Sequence, residues 1–220
     1  MFGDDVTDLV DDMLETAHRL AALGLSPGAS GNISCRAGDT IYLSGTGTSF
    51  STLKREDLSI LKDGEVTGPK PTGELGFHVK VYERNPEATA VIHVHSPNAA
   101  AVSCLDPWQP YFAIPPITPY VFMRVGNLPY VPYEHPGSPE LFDSIDKVEY
   151  PYDALLLANH GVITSGTLDQ AEQACIEIES LSGLHLQLLG HTPNRLTEEQ
   201  CEQLAKKWKR PWNRTDYRQA

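Results

Sequence analysis

Residues 88–96 read Ala88-Thr89-Ala90-Val91-Ile92-His93-Val94-His95-Ser96. A short run rich in Ala, Val and Ile, bounded by Asn85-Pro86 before it and Ser96-Pro97 after it, has the composition and the punctuated ends of a buried strand. Strand side chains alternate between faces, so His93 and His95 point the same way while Ile92 and Val94 pack on the other. Two imidazoles are thereby offered to one point. Neutral imidazole is the commonest protein ligand for zinc, and a catalytic zinc site takes three or four protein donors while keeping room for water or substrate. Taken alone, His-x-His also serves satisfied core or surface histidines, so the rest of the chain has to supply the remaining donors.

Residues 153–158, DALLLA, form a second continuous apolar run and read as a fully buried strand. It ends in Asn159-His160-Gly161, a polar trio where a buried strand emerges. His160 is placed there to supply a third imidazole at a sheet edge, and Gly161 permits close backbone approach. Upstream, residues 69–86 (PKPTGELGFHVKVYERNP) give helical spacing at Glu74, Phe77, His78, Val81 and Tyr82, with Thr72 as N-cap and a stop at Asn85-Pro86. Amides exposed at that helix start, around Gly73 and Glu74, suit an anion. Glu74 reads either as a first-turn acid that favours the helix dipole or as a functional carboxylate. Glu74 and His78, at i and i+4, share a face, although His78 more simply supports the helix against the sheet.

Closer to the amino terminus, apolar residues at Val6, Leu9, Val10, Met13, Leu14, Ala17, Leu20 and Ala21 make a helical stripe that ends at Gly24. Small residues and glycines then crowd into GLSPGASGNISCR before a strand over residues 32–36. Ala37-Gly38-Asp39 turns into a strand at residues 40–44, and SGTGTSFSTL follows at once. Two such loops flanking one hairpin bring Gly31, Asn32, Thr46 and Gly47 together, the arrangement of a phosphate cradle. A further hairpin spans residues 58–66. Residues 97–103 form a small-residue helix, and the proline- and aromatic-rich stretch 105–119 reads as a rim loop that shapes a pocket or a subunit contact. A helix is expected from Pro139 to about Lys147, another over residues 168–189 with Glu172, Glu177 and Glu179 on solvated faces, and a last one opening on the capping box Thr197-Glu198-Glu199-Gln200. The basic, aromatic end, KKWKRPWNRTDYRQA, reads as a tail that is disordered or packs on a neighbour.

The 220-residue chain is long enough for a substantial core, and no internal repeat or domain boundary divides it. A formal charge of −12 argues against nucleic acid or an anionic membrane as partner, so a phosphate would be held locally by amides and hydroxyls. No apolar run approaches the roughly 20 residues of a membrane span. The acidic start MFGDDVTDLVDD is unlike a signal peptide, and a cytoplasmic location is expected. Cys35, Cys104, Cys175 and Cys201 stand far apart with no Cys-x-x-Cys, as free thiols in a reducing compartment would.

The segments Gly31-Asn32-Ile33-Ser34, Pro71-Thr72-Gly73-Glu74, His93-Val94-His95-Ser96 and Asn159-His160-Gly161 occur in the order and spacing of the class II aldolase/adducin family, which the chain resembles from its first helix to about Trp208. The resemblance implies one three-layer α/β/α domain over residues 1–210 with a largely antiparallel sheet, a tail over 211–220, and a homotetramer with active sites between subunits. It further implies one zinc per subunit on His93, His95 and His160, with Glu74 as acid/base and additional ligand, and phosphate contacts at Asn32, Thr46, Gly47, Thr72 and Gly73. Gly73 departs from the serine common in family phosphate sites, leaving a backbone N–H in place of a hydroxyl. Tyr120 matches the tyrosine that assists proton transfer at the aldehyde oxygen; for the tyrosine that some relatives contribute from their tail, Trp212 and Tyr217 are both open. The implied reaction is retro-aldol cleavage of a phosphorylated ketose to dihydroxyacetone phosphate and an aldehyde, with zinc stabilising an enediolate as a Lewis acid.

Three other reactions or roles fit the scaffold less well. The segment 115–138 is similar to 3-oxo-tetronate 4-phosphate decarboxylases, which form the same kind of enediolate but tend to carry lysine at the position of Gly73. Epimerases of the family have aspartate where Glu74 stands. Adducin-like binding modules lack the zinc set.

Overall fold

Strand pairing follows the punctuation of the sequence. The computed structural model describes residues 4–219, with eight strands, β1 (Asn32–Ala37), β2 (Thr40–Ser44), β3 (Leu58–Lys62), β4 (Glu65–Thr67), β5 (Ala90–Val94), β6 (Tyr130–Val131), β7 (Ala154–Leu157) and β8 (Val162–Gly166). They form one sheet in the order β4-β3-β2-β1-β5-β8-β7-β6. Every pair is antiparallel except β6 with β7. The expected buried run therefore lies at the centre of the sheet, flanked by β1 and β8.

Among the described residues seven α-helices cover the sheet: α1 (Asp4–Ala22), α2 (Leu75–Arg84), α3 (Pro97–Ser103), α4 (Val121–Arg124), α5 (Pro139–Asp146), α6 (Leu168–Gln187) and α7 (Glu198–Trp208). Alternation along the strands divides the interior into two cores. Ile33, Ile92, Val94, Leu156 and Val162 face one side with residues of α1, α3, α4, α6 and α7. Val91, Leu155, Leu157 and Ile163 face the other with Phe77, Val81 and Tyr82 of α2 and Leu141 and Ile145 of α5. The result is the three-layer α/β/α arrangement, each buried Leu, Ile or Phe contributing about 1.5–3 kcal/mol relative to exposure. His93 has the parity of Val91 and lies on the α2 side, its ring edge-on to Phe77 at 5.2 Å. No helix among the described residues is long and apolar enough to cross a membrane.

Three local expectations are corrected by contacts made at long range. The proline-rich stretch is irregular, yet Phe112, Ala113 and Ile114 are buried in the larger core, so it is an interior connection and not only a rim. On α6, Glu172 is buried and bonded by Arg19 at 2.8 Å, and Glu179 accepts the N–H groups of Asn98 and Ala99 at the start of α3; neither is on a solvated face. The carboxy-terminal tail packs on its own chain. Trp212 is buried against Phe112 and Phe122 and donates its indole N–H to Glu198, while Arg218 reaches Asn85 and Asp153.

Close packing of α2 on α5 depends on Gly76, where an added Cβ would collide with the ring of Phe142. Alanine favours a helix over glycine by about 1 kcal/mol, but overpacking costs about 1–3 kcal/mol. Gly76→Ala is expected to lower the unfolding free energy by up to about 2 kcal/mol in urea titrations. Unchanged stability would mean that Phe142 swings aside.

Candidate active site and metal centre

The site is assembled at the ends of β5 and β7, where the register brings three imidazoles together. His93 pairs with Asn32 across β1 and with Ile163 across β8. His95 follows two residues later, on the same face. His160 lies in the turn between β7 and β8, its backbone N–H bonded to the Ser103 hydroxyl and its turn closed by Leu157 N–H to Gly161 O at 2.8 Å. Two glycines allow the chains to meet this closely. At Gly31, with φ +89, a Cβ would lie 2.7 Å from the His93 carbonyl; at Gly161 it would lie 2.5 Å from the Val94 carbonyl and 2.9 Å from the His95 ring.

One nitrogen from each of His93, His95 and His160 lies within 4.8 Å of one from each of the others. The His93 and His95 Nε2 atoms are 2.8 Å apart. His93 Nδ1 faces the Val162 carbonyl at 2.9 Å, an atom that only accepts, so Nδ1 carries the proton and Nε2 presents its lone pair to the gap. Burial drives the pKa of His93 well down, with His95 and His160 adding to it, and burial lowers His95 as well. His160 is also lowered, mainly by burial, against the opposing charge of Glu74. All three are thus held neutral, the form that binds a metal.

Glu74 approaches from the start of α2. Its Oε2 lies 3.4 Å from His93 Nε2 and its Oε1 3.5 Å from His160 Nε2. Asn32 donates to Oε2 at 2.8 Å, whereas Oε1 is buried with no hydrogen-bond partner. Burial raises the Glu74 pKa, with Asn32 and His160 pulling it back. Three neutral imidazoles that converge, with a buried, unpartnered carboxylate oxygen beside His160, make a donor set that fits a divalent metal of the zinc type. The helix start differs from expectation. Glu74 itself occupies the N-cap position of α2 without a side-chain cap bond, and Thr72, two residues earlier, accepts the Glu74 N–H through its hydroxyl at 3.3 Å. The carboxylate is turned from the helix amides toward the histidines.

The metal-type cluster opens into a cavity of about 350 Å³ lined by Asn32, Thr46, Gly47, Thr72, Gly73, Glu74, His95 and His160. The two small-residue loops and the α2 start therefore meet at one space. Ser30, Thr48 and the Pro136-Gly137 turn also line it and went unremarked in the sequence as site residues; EHPGSPE carried only the signal of a loop. A Cβ on Gly73 would meet no atom within 4 Å, so packing does not demand a glycine there. His78 does not join the cluster; it is bonded to Ser34 and Asn32. Tyr120 stands apart as well, 59% exposed and outside the cavity lining, and so do Trp212 and Tyr217.

Residues 11–186 match the family described as the class II aldolase and adducin N-terminal domain. A 3-oxo-tetronate 4-phosphate decarboxylase of Haemophilus influenzae is 36% identical over 211 residues, 93% of this chain and 100% of that protein. An L-fuculose phosphate aldolase of the same organism is 34% identical over 187 residues, covering 83% and 84%. The solved structure of an L-fuculose 1-phosphate aldolase superposes with a TM-score of 0.81 at 25% identity, covering 95% of this chain and 98% of that one. With the three-layer fold, the histidine cluster and the glycine-braced strand ends in the same chain, the protein belongs to the class II aldolase/adducin family, as an enzyme of that superfamily.

Proposed function

We propose that the chain is a metal-dependent decarboxylase of a 3-oxo-tetronate 4-phosphate. Decarboxylation moves ahead of retro-aldol cleavage, the reverse of the sequence-based order, because the decarboxylase relative is matched over its whole length and over more of this chain than the aldolase. The observation that carries the reading is one cavity lined by Glu74, His95 and His160 together with Asn32, Thr46, Gly47, Thr72 and Gly73. The open space at Gly73 bears on substrate fit and leaves the chemistry of the other residues intact.

His93, His95 and His160 would hold the metal, with zinc the proposed ion, and Glu74 beside them. Bound there, it would supply a Lewis acid for the oxyanion that develops at the substrate's carbonyl. The chain's own residues do the rest. Hydroxyls of Thr46 and Thr72 and the backbone of Gly47 and Gly73 bind the phosphate and orient the substrate, while Asn32, its NH₂ engaged by Glu74 and Thr72, lines the cavity beside them and holds both in place. When the bond between C1 and C2 of the 3-oxo acid breaks, its electron pair moves toward the C3 oxygen as carbon dioxide leaves. Glu74, held protonated more readily by burial, delivers a proton to C2, and the product is dihydroxyacetone phosphate. Water then restores the Glu74 proton. Retro-aldol cleavage would use the same carboxyl but needs a second group at the departing aldehyde oxygen. The family resemblance implies Tyr120 for that role, which is exposed and does not line the cavity.

Zinc-loaded protein is to be offered a 3-oxo-tetronate 4-phosphate and L-fuculose 1-phosphate in separate reactions, with carbon dioxide and aldehyde followed independently. Carbon dioxide together with dihydroxyacetone phosphate is the expected outcome. Aldehyde from fuculose 1-phosphate without carbon dioxide from the 3-oxo acid would overturn the proposal in favour of cleavage.

A further inference from the structure

Behind the cavity wall lies a chain of buried polar side chains whose donor directions follow from the orientation of the Asn32 amide. His78 is fully buried in α2, its ring stacked on Phe77 at 4.8 Å. Its Nε2 stands 2.6 Å from Asn32 Oδ1, which can only accept, so Nε2 carries the proton. Nδ1 is then bare and takes the Ser34 hydroxyl proton at 2.8 Å. Ser34 Oγ, its proton spent, accepts from the Tyr82 hydroxyl at 2.9 Å. At the other end, Asn32 has its Oδ1 occupied by His78 and turns Nδ2 to Glu74 Oε2 at 2.8 Å and Thr72 Oγ1 at 3.2 Å. Every proton from Tyr82 to Glu74 points toward the carboxylate.

Exchange of the Asn32 amide oxygen and nitrogen would set the amide oxygen against the ionised Glu74 carboxylate and leave Oε2 without a donor. Ser34, His78 and Tyr82 are all buried where apolar side chains would avoid desolvation, and burial pushes His78 down to about 3. Their common path leads to two cavity residues, Asn32 and, through it, Glu74.

We propose that His78 is a positioning residue: as the neutral Nε2–H tautomer it fixes the Asn32 amide with its NH₂ toward Glu74 and Thr72, and thereby orients the reacting carboxyl from outside the cavity. The effect on turnover rests on the reading of Glu74 as the group that moves the proton; the tautomer does not.

Two measurements test it. In ¹⁵N-labelled, metal-free protein, the His78 ring is expected to show a protonated, slowly exchanging Nε2 and an unprotonated Nδ1, identified by their loss in His78→Gln. A proton on Nδ1 instead overturns the proposal, whatever reaction the protein catalyses. In turnover, His78→Leu and His78→Asn, which lack a donor at the Nε2 position, are expected to lower kcat by about 10–100-fold, the range for residues that orient a ligand or catalytic group, with KM changed far less. His78→Gln retains an N–H near that position and is expected to recover most of the loss, while circular dichroism shows all three folded. In an Asn32→Ala background, His78→Leu should add little, because its effect passes through Asn32. Equal losses in all three variants, or full kcat in His78→Leu, would refute the assignment. Absence of turnover in the parent protein would count against the proposed reaction and leave the tautomer measurement to decide.

Discussion

Glu74→Gln is expected to lower kcat by about 10²–10⁴-fold, the range for loss of a positioned general acid or base, with little change in KM. The amide keeps the volume of the carboxyl and an oxygen for Asn32 to donate to, so the cavity wall survives while the transferable proton does not. Stability gives an independent reading in metal-free protein. Burial raises the Glu74 pKa, so the folded state binds this proton more tightly than the unfolded one. Its contribution is present below the ordinary carboxylate range, about pH 4, and is lost as pH rises through the folded value. The glutamine has no such loss. The melting temperature of Glu74→Gln minus that of the parent should therefore grow between about pH 4 and neutrality. A flat difference would mean that the carboxyl is solvated in solution, and a variant with kcat within a few-fold of the parent would remove Glu74 from proton transfer.

What was legible in the sequence is what short-range pattern encodes. The strands at residues 90–94 and 154–157 are apolar, short and punctuated, and parity alone put His93 and His95 on one face. Capping chemistry gave the start of α7, where Thr197 and Gln200 bond each other's backbone as expected. The family motifs collected the cavity residues, although their order along the chain says nothing of distance. What escaped depends on partners remote in sequence. Glu172 looks solvent-facing until Arg19, 153 positions away, is placed beside it, and Glu179 until the start of α3 docks on it. Trp212 reads as part of a loose tail because the Phe112 and Phe122 that receive it lie some 90–100 positions upstream. His78 was legible as a support between helix and sheet; that it bonds Asn32, and through it Glu74, required the register of β1 against α2.

Removal of a single imidazole from the cluster should abolish tight metal binding, and His95 and His160 are the informative positions. His93 is fully buried, so His93→Ala would also open a cavity in the sheet and confuse loss of a ligand with loss of packing. His95 and His160 are each partly exposed at the cavity, and truncation there costs less structure. Residues that merely orient a metal ligand change affinity by about 10–100-fold, so loss of a direct ligand is expected to weaken zinc by at least about 100-fold in competition with a chromogenic chelator. The same loss appears in stability. Zinc at 100 times its dissociation constant adds roughly 2.7 kcal/mol to a protein that binds it only when folded. The parent should therefore melt at a higher temperature with zinc than after chelation, and both variants should melt alike in the two conditions. The donors left behind are neutral imidazoles and a carboxyl that burial favours protonated, a set that leaves the ion two nitrogens where three had met. Zinc affinity unchanged in both His95→Ala and His160→Ala would exclude this cluster as the metal site, and with it the Lewis acid on which decarboxylation and aldol cleavage alike depend.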